Sequence, residues 1–105
     1  MECRLAYAGP TSIEQILMDA LDARGIEYHS QYPIDRLRID IAFPNARLAV
    51  EADGEYWHTL PENIDRDRRK DEHLAIIGWR ILHLPEYLIR SDVKHCLDLI
   101  LEHLF

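Results

Sequence analysis

Residues 36–53 read RLRIDIAFPNARLAVEAD. Two alternating runs flank Pro44-Asn45, a pair that favours a turn. In the first run Leu37, Ile39, Ile41 and Phe43 are expected on one face, with Arg38, Asp40 and Ala42 on the other. In the second, Leu48, Val50 and Ala52 share a face. The stretch therefore reads as an antiparallel hairpin whose two apolar faces turn to one core. That condition sets the register: Phe43 pairs with Leu48, Ile41 with Val50 and Ile39 with Ala52. Asp40 then falls opposite Glu51, and Arg38 opposite Asp53. Two carboxylates on adjacent strands, roughly 5 Å apart at Cβ, repel one another. Either they share a proton or a cation sits between them, and hard divalent cations take oxygen ligands of this kind. The plain alternative is a solvated pair on an exposed sheet face. Asp53 reads equally as an ion-pair partner of Arg38 or as a ligand.

The second strand runs into EADGEYWH, residues 51–58, where Glu51, Asp53 and Glu55 crowd together before a Trp-His pair. Trp57 is read as a packing residue. Upstream, TSIEQILMDALDARG (11–25) carries Ile13, Ile16, Leu17 and Leu21 at helical spacing, with Gly25 as its stop. Thr11 with Glu14 makes a capping-box pattern, so Glu14 is either a cap or a site residue. IEYHSQYPI (26–34) suits a short edge strand. Residues 59–63 read as loop, and a polar helix is expected from Ile64 to Ile77, closed by Gly78. WRILHLP (79–85) is a strand, and Ser91 is expected to cap a last helix through Leu97, Leu101 and Leu104. Helix, strands, helix, strand, helix defines an α/β (α+β) chain with a small mixed sheet flanked by helices.

A length of 105 residues fits one domain, spanning 1–105, with residues 1–10 set apart as a linker or unordered arm. Hydrophobic residues at 48% and charged residues at 30% mark a globular chain rather than a disordered one. The apolar runs are too short for a membrane span, so no membrane partner is expected. The start lacks the pattern of a signal peptide. Cys3 and Cys96 form no disulfide framework or CxxC pair and fit a reducing, cytoplasmic setting. His73, His83, His95 and His103 lack zinc-ligand spacing and carry no assignment.

The net charge of −7 argues mildly against nucleic acid as a partner. Its distribution argues the other way. Residues 66–70 read RDRRK, and Arg66, Arg69 and Lys70 share one helical face while Arg68 points elsewhere. They are candidate contacts to DNA phosphates; the alternative is a solvated face interleaved with Asp65, Asp67 and Asp71.

These residues resemble the very-short-patch-repair (Vsr) endonucleases of the PD-(D/E)XK superfamily. The likeness runs from Glu14 to about Leu88. It rests on the strand-borne Asp40, G-x-x-W-H at Gly54 to His58, N-x-x-R-D-R-R at Asn63 to Arg69, and G-W-R-I-L at Gly78 to Leu82. Glu14, Asp40, His58 and Asp67 also resemble the Glu-Asp-X-His-Asp signature of phage homing endonucleases with Vsr-like catalytic domains. The resemblance implies a restriction-endonuclease-like fold and a Mg2+ (or Mn2+) ion held by Asp40. It implies His58 helping to activate the attacking water, and Glu14 and Asp67 facing the site. Two departures stand out. Vsr has a second histidine where Asp53 stands and zinc ligands that are missing here. Against the wider superfamily, Glu51-Ala52-Asp53 occupies the (D/E)-x-K position with Asp in place of lysine, which leaves His58 as the base.

Phosphodiester hydrolysis suits this set. Asp40 and Glu51, with Asp53 as a third candidate ligand, would hold a divalent ion that stabilises charge on the phosphoryl oxygens. A histidine titrating near neutrality can take the proton. The expectation is a metal-dependent DNA endonuclease, alone or as the catalytic part of a homing-type enzyme. Its rivals are a nucleic-acid-binding or interaction module with a degenerate site.

Overall fold

The computed structural model describes residues 11–54 and 61–105, the side chain of Asn63 excepted. Helix α1 (Ser12–Ala23) starts from a reciprocal cap. The Glu14 N–H donates to Thr11 Oγ1 at 3.4 Å, and that hydroxyl donates to Glu14 Oε2 at 3.0 Å. Strands β1 (His29–Ile34) and β2 (Leu37–Phe43) follow, then a short 3-10 turn (Pro44–Ala46) and β3 (Leu48–Asp53). Helix α2 (Pro61–Ile76) crosses to β4 (Arg80–Pro85), and α3 (Glu86–Ser91) and α4 (Val93–Leu104) complete the chain. The four strands lie in the order β1-β2-β3-β4. The first three are antiparallel; β4 lies parallel to β3, which requires the crossover that α2 provides. Gly78, at φ +89°, reverses the chain between α2 and β4, and a Cβ there would press to 3.3 Å from the Arg47 guanidinium.

Helices cover both faces of the sheet. On one, Leu17 and Leu21 of α1 and Leu97 and Ile100 of α4 pack with Ile41, Phe43, Leu48, Val50 and Leu84. On the other, Leu74 of α2 packs with Ile39, Ala42 and Ala49, flanked by Tyr32, Leu37 and Trp79. Each fully buried leucine, such as Leu17 or Leu74, contributes about 1.5–3 kcal/mol by leaving water. Among the described residues no helix is long and apolar enough to cross a membrane.

The hairpin register holds for Phe43↔Leu48 and Ile41↔Val50, and β1 is the edge strand expected. Other features differ from the sequence reading. Leu37 and Ile39 pack under α2, whereas Ile41 and Phe43 pack under α1 and α4, so the alternation of β2 switches face at Asp40. Opposite that point Gln31 adopts a left-handed backbone, φ 50°, and the β1–β2 ladder passes from Ser30↔Ile41 to Tyr32↔Ile39. A kink shared by both strands keeps the register while turning the face. Residues 61–63, read as loop, are the first turn of α2, where Pro61 costs no hydrogen bond. Ser91 ends α3 rather than capping the last helix. That cap is Asp92, whose carboxylate accepts from the His95 N–H at 3.1 Å.

Candidate active site

The β2–β3 backbone ladder ends at Ile41–Val50, and side chains continue it. The Asp40 N–H donates to Glu51 Oε2 at 2.9 Å, and the Ala52 N–H donates to Asp40 Oδ2 at 3.0 Å. The expected facing pair is therefore real. Each carboxylate also satisfies a backbone donor on the other's strand, where the strands part. The opened ends floor a cleft of about 530 Å³. Glu14 from α1, Asp67 and Lys70 from α2 and Arg90 from α3 stand in its walls. Arg90 is held there by Glu86 Oε2 and Ser12 Oγ, each at 2.7 Å.

Charge in this cleft is poorly solvated. Burial, then Glu51, then Glu14, push the Asp40 carboxyl up to about 7. Burial also raises Glu51, against an opposing pull from Lys70. Glu14 and Glu51 are 7% and 6% exposed. Glu14 is both cap and cleft residue: its second oxygen accepts from Gln31 Nε2 at 2.7 Å, which ties α1 to the kinked edge strand. Lys70 Nζ donates to Glu51 Oε1, and to the Arg38 carbonyl at 2.7 Å. The sequence reading gave Lys70 only a phosphate-binding role and found no lysine in the strand motif. A lysine reaches the strand carboxylate all the same, from the crossover helix.

Asp53 stands one pleat further along. Arg38 lines a separate groove, and Asp53 Oδ2 lies 2.8 Å from His83 Nδ1. The other nitrogen of His83 lies 2.7 Å from Asp71 Oδ2, next to Lys70 on α2. The hydrogen bond to Asp53, then that to Asp71, raise His83 to about 9 against the effect of burial. His83 was missed because its partners come from distant elements. The parallel β3–β4 register, which sets Glu51 opposite His83, carried the signal.

Of the sequence-derived site residues, Glu14, Asp40, Glu51, Asp53, Asp67 and Lys70 all line the one cleft. His58 lies outside the described residues, as does Trp57. Arg66 and Arg69 line the adjoining groove with Lys70 at its inner end, and Arg68 pairs with Asp65 at 3.4 Å. Among the described residues no group of three or more His, Cys, Asp or Glu side chains forms a metal cage. Mg2+ needs none, since it is commonly held by one or two carboxylates and keeps several waters. Asp40 and Glu51 fit that need: both are hard oxygen donors, burial raises both, Asp40 also faces the like charges of Glu51 and Glu14, and the described hydrogen bond to the Asp40 carboxylate engages Oδ2, not Oδ1.

The four-stranded mixed sheet with flanking helices is a fold shared with solved structures. The Homing Endonuclease I-Bth0305I Catalytic Domain superposes with a TM-score of 0.70 over 90% of this chain and 99% of that chain, at 22% identity. The profile of the family REase_MTES_1575 matches residues 13–104, and the chain belongs to this restriction-endonuclease-like family. The Type II nicking enzyme V.NaeI of Lentzea aerocolonigenes is 26% identical over 117 residues, spanning 90% of this chain and 70% of that enzyme. Uncharacterized protein Rv2248 of Mycobacterium tuberculosis is 32% identical over 79 residues, which span 70% of this chain but only 29% of the mycobacterial protein.

Proposed function

We propose that the chain is a Vsr-like, Mg2+- or Mn2+-dependent DNA endonuclease that hydrolyses phosphodiester bonds, either by itself or as the catalytic part of a nicking or homing-type enzyme. The observation that carries this reading is the pair of half-buried Asp40 and buried Glu51, cross-bonded between parted strands, with Lys70 on Glu51. Similarity to a nicking enzyme and to a homing endonuclease catalytic domain supports it.

In this reading Asp40 and Glu51 hold the divalent ion. When bound, the ion would stabilise charge on the phosphoryl oxygens and lower the pKa of a water. Lys70 favours the ionised form of Glu51 against the effect of burial and provides fixed positive charge where negative charge develops. Glu14, buried beside Asp40, adds to the field that makes the site demand a cation. His58 takes a proton from the attacking water, on the strength of the family resemblance. Asp67 lines the same cleft. Asp53, engaged by His83, serves at the rim rather than at the centre. Arg66 and Arg69 hold backbone phosphates.

The test is incubation of supercoiled plasmid with Mg2+ or Mn2+. Wild-type protein should yield nicked or linear product, and His58→Ala and Asp40→Asn should not. A folded wild-type protein that cuts with neither metal would overturn the reading in favour of a binding module with a degenerate site.

A further inference from the structure

The molecule is acidic, with a net charge of −7, yet one groove collects four of its 12 Lys and Arg residues as exposed arginines. Arg36 and Arg38 form one wall, and Arg66 and Arg69 of α2 form the other. The groove measures about 620 Å³ and meets the carboxylate cleft at Lys70, which lines both.

A basic run on one helix is ordinarily a solvated face. Here the arginines come from two elements far apart in sequence. Arg36 sits in a two-residue turn between the paired Ile34 and Leu37, with Asp35 at φ 54°. A two-residue loop restricts the backbone to a few turn types. Asp35 Oδ2 also lies 2.7 Å from His73 Nε2, which ties the turn to α2. The two walls of the groove are thus tied together.

Charge on α2 is divided by side. Arg66, Arg69, Lys70 and His73 recur at helical spacing on the groove flank. The opposite flank carries Asp67, Asp71 and Glu72 with Arg68 as its one arginine, paired with Asp65, and Asp53 and His83 lie beyond them. A polyanion leaving the cleft meets attraction on one side of α2 and repulsion on the other.

We infer that the groove of Arg36, Arg38, Arg66 and Arg69 seats the sugar-phosphate backbone of duplex DNA, and that the duplex leaves the cleft on this side only. This rests on the nuclease reading for its substrate and extends it to the direction in which the substrate lies.

Fluorescence anisotropy with labelled duplexes, in Ca2+ and at several salt concentrations, tests the groove. The Arg36→Ala/Arg38→Ala protein should bind all sequences more weakly. Its log K against log salt should flatten by about 0.9 for each phosphate no longer neutralised, hence about 1.8 for the two arginines together. Arg36→Lys/Arg38→Lys should keep the slope, which separates loss of charge from a disturbed turn. Arg68→Ala, on the far flank, should leave it unchanged. Neutral methylphosphonate linkages should weaken binding on one side of the cut position and not on the other. An unchanged slope in Arg36→Ala/Arg38→Ala, an equal loss in Arg68→Ala, symmetric linkage effects, or displacement of the duplex by polyglutamate of matched charge would each overturn the inference. Failure of the nuclease reading is separately visible. A wild-type protein that shows this salt behaviour but cuts no plasmid keeps the groove and loses the chemistry.

Discussion

The backbone N–H of Asp40 donates to Oε2 of Glu51 at 2.9 Å, so the two acids that repel one another are also bound into each other's strands. Asp40 returns a bond through its Oδ2 to the Ala52 N–H at 3.0 Å. These contacts replace rungs of the sheet and fix both carboxylates before any ion arrives. Each needs an ionised or at least an acceptor oxygen, while burial favours the neutral acid. The conflict is relieved by a cation, and it makes the site testable through stability as well as activity.

Asp40→Asn keeps the shape and an acceptor oxygen but removes the charge. Cleavage should fall by more than about a hundredfold, the scale of losing one positioned catalytic group. The melting temperature should stay the same or rise, because Glu51 and Glu14 lose a like-charged neighbour. Millimolar Mg2+ should raise the melting temperature of the wild type, by about 2.7 kcal/mol of stability at one hundred times Kd, and EDTA should reverse it. The same titration in Asp40→Asn should show little shift. Equal shifts in the two proteins would rule out Asp40 as a ligand.

The pH dependence follows from the direction of the Asp40 shift. Its pKa stands at about 7 in the fold against 3.8 as the ordinary value. Between those values the folded chain binds the extra proton, so stability falls as pH rises through that window. Thermal unfolding without metal should show wild type losing stability from about pH 4 to pH 7 relative to Asp40→Asn. With Mg2+ bound, the ionised form is favoured and the difference should shrink. Parallel metal-free curves for the two proteins would show that Asp40 titrates normally.

Most of the scaffold was legible because it depends on local pattern. The Thr11–Glu14 cap, the Pro44 turn and the register of Phe43 with Leu48 are set by residues a few positions apart. The face switch at Asp40 was not, since alternation assumes an unkinked strand and nothing in the letter Gln31 announces a positive φ. The short helix α3 was hidden by Pro85 and by its length, below what periodicity resolves. In the site, the Asp40–Glu51 pairing came from the hairpin alone. Lys70 on Glu51, and His83 between Asp53 and Asp71, depend on where the crossover helix packs, which Leu74 in the second core determines. Chain spacing carries no direct record of that packing.

Lys70 gives a prediction that separates its two roles. Lys70→Ala leaves Glu51 buried without its partner, and breaking a largely buried pair costs on the order of 3 kcal/mol. Cleavage should fall with it. Lys70→Arg retains the charge but not the compact ammonium shared by Glu51 and the Arg38 carbonyl, so stability should largely recover while cleavage stays low. DNA affinity in Ca2+ should change far less in Lys70→Arg than in Arg66→Ala/Arg69→Ala. If Lys70→Arg cuts like wild type, the lysine acts only as a charge and not as a fitted group.

His83 supplies the last prediction. Its hydrogen bond to Asp53, followed by that to Asp71, lifts it to about 9 from an ordinary 6.5, so the imidazolium is the folded form at neutral pH. A raised basic group stabilises the fold fully below the unfolded pKa and loses that contribution as pH rises through the folded one. The window is therefore pH 6.5 to about 9, overlapping the one assigned to Asp40 only at its upper end, near pH 7. His83→Gln preserves a hydrogen-bonding side chain but cannot titrate. Its stability should decline less than that of the wild type across this window and match it in slope below about pH 6. Because His83 joins the strand end to the turn of α2 that carries Lys70, the variant should also cut more slowly, with the Mg2+-induced rise in melting temperature intact. Thermal unfolding at half-unit pH steps, with and without Mg2+, reads both effects. Superimposable wild-type and His83→Gln slopes between pH 6.5 and about 9 would show that the clamp carries no charge, and loss of the Mg2+ response would move His83 into the metal site itself.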